Sequence, residues 1–594
     1  MNILLYAILM PTFASLLCFA SKRLAKWVAL LVSAAVLALA AMIFFGGGTS
    51  SAILNLRAYV LSSGIFLAAA FFTLLIVLYS TKFMEGKERL GEYYGYVLLT
   101  LGATAGAVFA NDYIILLLFW GILGVTLYML IGMGGPEASS AAKKTFIIVG
   151  GADALMILGM GMVWMMVGSP IIGIRPLPLD HILPVLAFLC LAVGAFAKAG
   201  AIPFHTWIPD SAECAPTPVM AYLPAALDKL LGIYLLTRIC LDVFWLEPNS
   251  AISVMLMLLG SVTIIAAVMG ALVQHDLKKL LSFHAVSQVG YMVLGIGTGI
   301  PVAMAGGLFH MLNNAIYKSL LFLCGGAVEK QAGTTDLDRL GGLSRFMPVT
   351  FACALIAALS ISGVPPFNGF FSKWMVYQGL VELGKTSPYW IVWLLAAMFG
   401  SALTLASFMK IIHAAFLGQW SESTSRAREV PWAMWLPMVV LAALCVVFGV
   451  FAYALPLGHF ILASVPGIFY TGFFSPTLAT LLILAGLLAG LLIYGLARVP
   501  SASVRKPAYV GGELLDEKET KVSGVDFYDT IRNWGPLSRI YRISERKTFD
   551  VYELGSKLTF AFSGGLSWLH NGLLHTYLAW MFMGVIVLFL VLVR

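Results

Sequence analysis

The stretch from Ile182 to Val243, ILPVLAFLCLAVGAFAKAGAIPFHTWIPDSAECAPTPVMAYLPAALDKLLGIYLLTRICLDV, constrains the chain most, because Lys198 and Lys229 lie within apolar runs long enough to cross a bilayer. An ammonium group in hydrocarbon costs roughly 3 kcal/mol even on the gentlest scales, so it is kept where a protein interior or wet cavity receives it. Between the two runs stand Gly200, Pro203, Pro209, Pro216 and Pro218. Proline removes a backbone donor and clashes with the preceding turn, so helix breaks at depth, which is tolerated only where protein or water surrounds the bare backbone. Snorkelling to an interface would serve Lys198, a few residues from the break. It serves Lys229 poorly, with AYLPAAL before it and LLGIYLLT after it.

The chain has 594 residues, 60% hydrophobic and 11% charged, with mean hydropathy +0.94, which marks an all-α polytopic membrane protein. Apolar windows place about sixteen transmembrane helices by length and hydropathy. They run near residues 2–20, 25–45, 57–81, 92–110, 112–133, 142–167, 182–201, 217–243, 251–273, 278–299 and 303–328. The rest run near 348–383, interrupted at Pro365 and Pro366, then 389–418, 432–456, 476–497 and 573–593. The first window has no basic leader before it and reads as a retained span. Loops bearing Lys22, Arg23, Lys26, Lys82, Lys87, Arg89, Lys143, Lys144, Lys278, Lys279, Lys330, Arg339 and Arg345 fall on one side, opposite Arg57, Arg175 and Lys385. The positive-inside rule then predicts a cytoplasmic location for the rich loops and an N-terminus outside.

Seven scattered cysteines offer no paired spacing for zinc, an iron–sulfur cluster or haem, and no Walker sequence points to ATP. The expectation is therefore no cofactor, no metal and no catalytic centre. The net charge of +8 resides mostly in short loops, as topology demands, so nucleic acid is not an expected partner.

SISGVPPFNGFFSKWMVYQG, residues 360–379, is again an apolar span broken by prolines and carrying a lysine, Lys373. Broken spans in corresponding positions of two halves predict inverted repeats around a midplane path. The expected organisation is N-terminal helices over 1–91, a first half-channel over 92–245, a second over 246–420 and further helices over 421–497. A charged segment with a lateral amphipathic helix follows over 498–572, and a last span over 573–594. From about Tyr541, RISERKTFDVYELGSKLTFAFSGGLSWLHNGLL spaces apolar residues to suit a helix on a surface, roughly 40 Å long at the standard rise. Gly564 and Gly565 would bend it.

Other polar residues lie inside the spans: Asp153, Asp228, His284, and His310, Asn313, Asn314 and Lys318 in GGLFHMLNNAIYKSLLFL. The bundle interior is their expected destination. His310, Asn314 and Lys318 follow i, i+4 spacing on one helix face. Asn313 and Asn314 read as helix-packing hydrogen bonders, His310 and Lys318 as functional groups. Asp228 points about 100° away from Lys229, which leaves its partner open to another helix. A desolvated ammonium gives up its proton more readily, and a carboxylate drawn near restores it, so a row of buried lysines joined by histidine suits proton relay.

KAGAIPFHTWIPDSAECAPTPVMAYLPAALDKLLGIYLL, DLKKLLSFHAVSQVGYM and GVPPFNGFFSK resemble ordered signatures of one family over roughly residues 60–420. These are the antiporter-like subunits of respiratory complex I, of Mrp cation/proton antiporters and of membrane-bound energy-converting hydrogenases. The resemblance implies that Lys198 and Lys229 are the two first-half lysines, that Lys318 lies on the family's HxxxHAxFKALLFL-like helix, and that Lys373 is the terminal exit position. One departure stands out: the family's FWE, whose glutamate pairs with the first lysine, reads FWG here, with Gly121. Asp153 or Asp228 is expected to take the carboxylate role. FDVYELGSKL to LHTYLAWMF is similar to the large membrane subunit of hydrogenase-4-like complexes. The function implied is a proton-translocating subunit of a redox-driven complex in a prokaryotic inner membrane. Its partners would be other antiporter-like and small membrane subunits, peripheral redox subunits carrying iron–sulfur clusters, and lipids. The alternatives are an Mrp-type Na⁺/H⁺ antiporter subunit, or a non-conducting structural subunit of the same kind of complex.

Overall fold

The computed structural model describes residues 3–419, 423–465, 467–468, 476–496, 511 and 524–593. Lipid offers the backbone no hydrogen-bond partner, so the apolar runs become helices that satisfy their own amides. In order they are α1 Ile3–Ala20, α2 Ala25–Phe45, α3 Val60–Phe83, α4 Leu90–Phe109, α5 Tyr113–Ile131, α6 Ala138–Val167 and α7 Ile182–Ala199. The first broken region continues as α8 Trp207–Cys214, α9 Thr217–Tyr222, a π-helical turn Leu223–Leu227 and α10 Asp228–Arg238. Then come α11 Ala251–Leu272, α12 Leu277–Gly297, α13 Pro301–Ala332, α14 Pro348–Ser362, α15 Asn368–Leu383, α16 Trp390–Ile411, α17 Trp432–Val450, α18 Pro476–Leu496 and α19 Asp529–Asn533. The chain divides into two compact units, Met1–Trp534 and Gly535–Arg594. The second holds α20 Gly535–Glu545, α21 Val551–Leu569 and α22 Leu574–Leu592.

Among the described residues, 12 helices are long and apolar enough to cross a membrane. The other expected windows also fall on helices. Of these, α13 spans 32 residues but carries His310, Asn313, Asn314 and Lys318, while α14 and α15 are two halves of an interrupted span. The window that carries Asp228 and Lys229 and the one that carries His284 are the most enclosed, 100% buried within Thr217–Val243 and 94% in Leu277–Gly297, against 28% for α2. That ordering is what the cost of polar groups in lipid demands.

Both helix breaks share the sequence Gly-x-x-Pro-Phe, Gly200 to Phe204 and Gly363 to Phe367. Gly200 ends α7 at φ +77° and Gly363 ends α14 at φ +82°, a left-handed backbone that favours glycine. Space matters as well. A Cβ on Gly200 would lie 2.1 Å from Ile208 Cδ1 and 3.2 Å from Lys229 Nζ, and one on Gly363 would lie 3.2 Å from Lys373 Cδ. Each break glycine therefore packs beside a lysine, Gly200 beside Lys229 and Gly363 beside Lys373.

Ion pairs join the lysine-bearing helix ends at one end of the bundle: Lys144 to Asp210 at 2.8 Å, Lys278 to Glu329 at 3.1 Å and Lys279 to Glu213 at 2.5 Å, with Lys330 bonded to the Lys82 carbonyl. At another point Leu56 pairs with Ala110, Asp112 pairs with Ile171, and Arg238 reaches the Ala110 carbonyl at 3.1 Å.

The C-terminal unit corrects one expectation. The surface helix is not continuous from Tyr541 but stops at Glu545, and α21 restarts at Val551, where the Asp550 carboxylate accepts from the Tyr552 amide at 3.0 Å. Asp550 is an N-cap, and the left-handed Lys547, φ +54°, turns the chain before it. Gly564 and Gly565 lie within α21. The helix is about 28 Å long instead of 40. The charged residues Arg505, Lys506, Glu513, Asp516, Glu517 and Lys518 lie outside the described residues.

Candidate functional site

The first-half cluster starts from the C-terminal turn of α7. Lys198 is wholly buried there, with Nζ 3.5 Å from Asp228 Oδ1 and 5.6 Å from the centre of the Trp120 ring. At that length the Asp228 contact is an ion pair short of hydrogen-bond geometry, and Lys198 Nζ and Asp228 Oδ2 have no hydrogen-bond partner among the described residues. Trp120 Nε1 donates to Asp153 Oδ1 at 3.0 Å. Asp228 thus turns away from its neighbour Lys229 toward a lysine on another helix, the outcome its 100° offset allowed. Lys229 donates to the Ala199 carbonyl, the last residue of α7 before the break.

No side chain stands at Gly121, where a Cβ would meet nothing within 4 Å, whereas a Cβ on Gly124 would lie 3.8 Å from Asp153 Oδ2. Gly124 leaves room beside Asp153, on α6, while Gly121 lies on an exposed part of α5. Asp153 is half-buried; Asp228 is wholly enclosed.

The second-half cluster is assembled on α12, α13, α15 and α16. Lys318 Nζ donates to the Leu281 carbonyl at 2.8 Å and lies 5.5 Å from the Phe408 ring centre. His284 Nε2 meets Ser407 Oγ at 2.7 Å. His310 is held from both sides, Nδ1 at 2.9 Å from Ser372 Oγ and Nε2 at 3.1 Å from Gln288 Oε1. The Gln288 amide nitrogen donates to Ser287 at 3.1 Å, and the Tyr317 hydroxyl lies 3.3 Å from His310 Nε2. Lys373 Nζ donates to the Ile361 carbonyl at 2.9 Å, over the Tyr291 ring at 4.6 Å. Asn313 donates to the Asn368 carbonyl at 2.9 Å and Asn314 to the Ala225 carbonyl at 3.4 Å, bonds that tie helices to broken backbone.

Electrostatic neighbours connect these pieces into a row. Asp153 feels Lys198, Asp228 feels Lys198 and Lys229, and Lys318 feels Lys229 across the boundary of the halves. His284 feels Lys318 and Lys373, and His310 feels Lys373. All eight residues singled out from the sequence, Lys198, Lys229, Lys318, Lys373, His310, Asp153, Asp228 and His284, belong to this row. Sequence reasoning missed Trp120, Gln288, Tyr291, Ser372 and Ser407, ordinary residues in apolar runs whose polar atoms matter only through partners far along the chain. It also missed Lys410, whose place in the last turn of α16 reads as a boundary cation. A row of enclosed titratable groups, acidic and basic at its first-half end and basic through the second half, is suited to passing protons.

Residues 110–404 match the family described as NADH:quinone oxidoreductase/Mrp antiporter, TM. The Na(+)/H(+) antiporter subunit A1 of Staphylococcus haemolyticus is 34% identical over 411 residues, 64% of this chain and 50% of that protein. Its counterpart in Staphylococcus saprophyticus is 33% identical over 410 residues, with the same coverage. The chain thus spans about half the length of the curated relatives it matches. Among solved structures, a chain of the archaeal membrane-bound sulfane sulfur reductase, a respiratory membrane complex, shares the fold with a TM-score of 0.82 at 24% identity, over 99% of this chain and 100% of that one. A chain of the Mrp complex from Dietzia sp. gives 0.70 at 21% identity, covering 78% and 96%. A chain of respiratory complex I from Thermus thermophilus gives 0.66 at 21%, covering 77% and 100%. Residues 110–404, which match the NADH:quinone oxidoreductase/Mrp antiporter, TM family, hold both helix breaks and the buried lysines beside them, within a fold shared with antiporter-like membrane chains.

Proposed function

We propose that the chain is a proton-translocating subunit of a redox-driven membrane complex and that the row from Asp153 to Lys373 is its path. The observation that carries this reading is the continuity of the row: each charged group is within electrostatic reach of the next, across both halves. Asp153 and Asp228 take the part of the carboxylate missing at Gly121. Movement of Asp228 relative to Lys198 and Lys229 alters how firmly either holds its proton, and the change passes through Lys318 and His284 to Lys373 and His310. Lifting one charge against each 100 mV of membrane potential takes about 2.3 kcal/mol, so work must come from a coupled partner. Peripheral subunits carrying iron–sulfur clusters are the proposed source, and smaller membrane subunits the proposed neighbours. What supports a redox-driven assembly over an Mrp antiporter is the extent of the shared fold, 99% of this chain for the respiratory-complex chain against 78% for the Mrp chain. The names of the curated relatives favour the second reading, exchange of Na⁺ for H⁺ without redox partners.

Purification of the assembly from its native membrane, followed by flux measurement in proteoliposomes, separates the two. Iron–sulfur subunits in the preparation and proton uptake independent of sodium support the first; small membrane subunits alone, with sodium-dependent proton release, replace it by the second. We place the lysine-rich end in the cytoplasm of a prokaryotic cell and the N-terminus outside. Labelling of a single cysteine introduced at Lys87 from outside intact cells would reverse that orientation.

The break at Gly363 gives a separate expectation. Gly363→Ala adds left-handed strain of about 1–2 kcal/mol and pushes Lys373 from the Ile361 carbonyl. Proton flux is expected to fall several-fold with the complex still assembled; unchanged flux would show that the Lys373 position is not critical.

A further inference from the structure

Lys410 lies near the end of α16, 4% exposed, its ammonium donating to the Leu272 carbonyl at 2.8 Å and the Gln274 carbonyl at 2.7 Å. It is joined to the lysine-rich end of the bundle, since α12 begins at Leu277 and carries Lys278 and Lys279. The acidic groups acting on Lys410 are Asp338, Asp529 and Asp526. His275 Nδ1 lies 2.7 Å from Asp338 Oδ2, and ligand-type atoms of His275, Asp526 and Asp529 all lie within 4.8 Å of one another. Asp526 and Asp529 belong to a short segment that docks on α16: the Tyr528 hydroxyl donates to the Ala406 carbonyl at 2.9 Å, and Val525 is 3% exposed. Gly524 sits so close that a Cβ there would lie 2.6 Å from His413 Nδ1. One turn inward from Lys410 is Ser407, bonded to His284 Nε2. An independent observation marks the inner end, for His284 is wholly buried and its Nδ1 has no hydrogen-bond partner among the described residues.

We propose that Asp526 and Asp529, with His275 and Asp338, form the collecting mouth of a proton inlet that runs through Lys410 and Ser407 to His284 and the second-half lysines. This rests on the proton-translocating reading and adds to it a place of uptake. A carboxylate at the mouth takes a proton from solvent and hands it to the Lys410 amine. The Lys410 ammonium gives a proton to the Ser407 oxygen as the Ser407 hydroxyl proton moves to His284 Nε2, which leaves the hydroxyl intact and the charge one turn deeper. The step from Lys410 to Ser407 is one helical turn, within reach of a swing of the lysine or a bridging water. A cluster of carboxylates at a narrow opening concentrates protons locally and speeds their capture.

The test uses the intact complex in proteoliposomes, with Asp526→Asn/Asp529→Asn, Lys410→Arg and Lys318→Met compared at low and high imidazole. The double variant is expected to lose roughly tenfold in initial proton uptake at low imidazole and to recover when imidazole delivers protons directly. Lys410→Arg retains charge and carbonyl bonds but cannot release a proton, so it is expected to stay slow at both concentrations. Unchanged uptake in the double variant at low imidazole, or full uptake in Lys410→Arg, overturns the inlet. A loss in the double variant that imidazole does not repair also overturns it, since that assigns the segment a purely structural docking role. Lys318→Met reports on the underlying reading alone: full flux there removes translocation through the row, whatever the mouth does.

Discussion

Lys229→Met is expected to lower proton translocation about tenfold or more, equivalent to at least 1.4 kcal/mol on the limiting step, while the complex assembles normally. The ammonium of Lys229 is wholly buried and bonded to the Ala199 carbonyl at the first helix break. Methionine fills similar space without charge. Removing a buried ion removes its desolvation penalty, and the lost bond to Ala199 amounts to only about 1 kcal/mol, so stability changes little. Loss of flux with an unchanged melting profile in detergent is the signature. Full flux in this variant would favour the third possibility, a subunit that clamps its neighbours without conducting.

Asp228→Asn is expected to do the opposite to stability. Lys198 lies 3.5 Å from Asp228 with both groups enclosed, so neutralising the carboxylate leaves a buried cation unpaired, a loss of about 3–5 kcal/mol. Flux is expected to fall with it. Asp153→Asn is milder, because the carboxylate is half-buried and an amide oxygen still accepts from Trp120. Pairing the two variants separates the carboxylate roles. If both pump protons at the unmodified rate and melt at the same temperature, neither aspartate replaces the glutamate absent at Gly121.

Much of this arrangement is legible in the sequence because charge in lipid is so costly. That cost alone directs Lys198, Lys229, Lys318 and His310 to the bundle interior, and the prolines at 203 and 366 mark where helix must stop. The angular offset between Asp228 and Lys229 likewise anticipates a partner on another helix. Partners separated by long stretches of chain are not legible: Ser407 and His284 lie 123 residues apart, and a serine in a helix usually bonds its own backbone. Trp120 reads as core until Asp153 is seen beneath its indole. The break in the surface helix had a signal that hydrophobic spacing obscures, an aspartate immediately before Val551. The lysine beside each helix break is the subtler lesson. Gly200 follows closely on Lys198 but packs beside Lys229, and Gly363 packs beside Lys373.

Helix α13 has a mechanical consequence. Along its unbroken length it receives Tyr79 at the Leu323 carbonyl, sends Ser319 to the Ala221 carbonyl and Asn314 to the Ala225 carbonyl, and grips the other half through Asn313 and Lys318. It is a single rod tied by Asn314 and Asn313 to the two interrupted segments, so displacing it along its axis would tug on both at once.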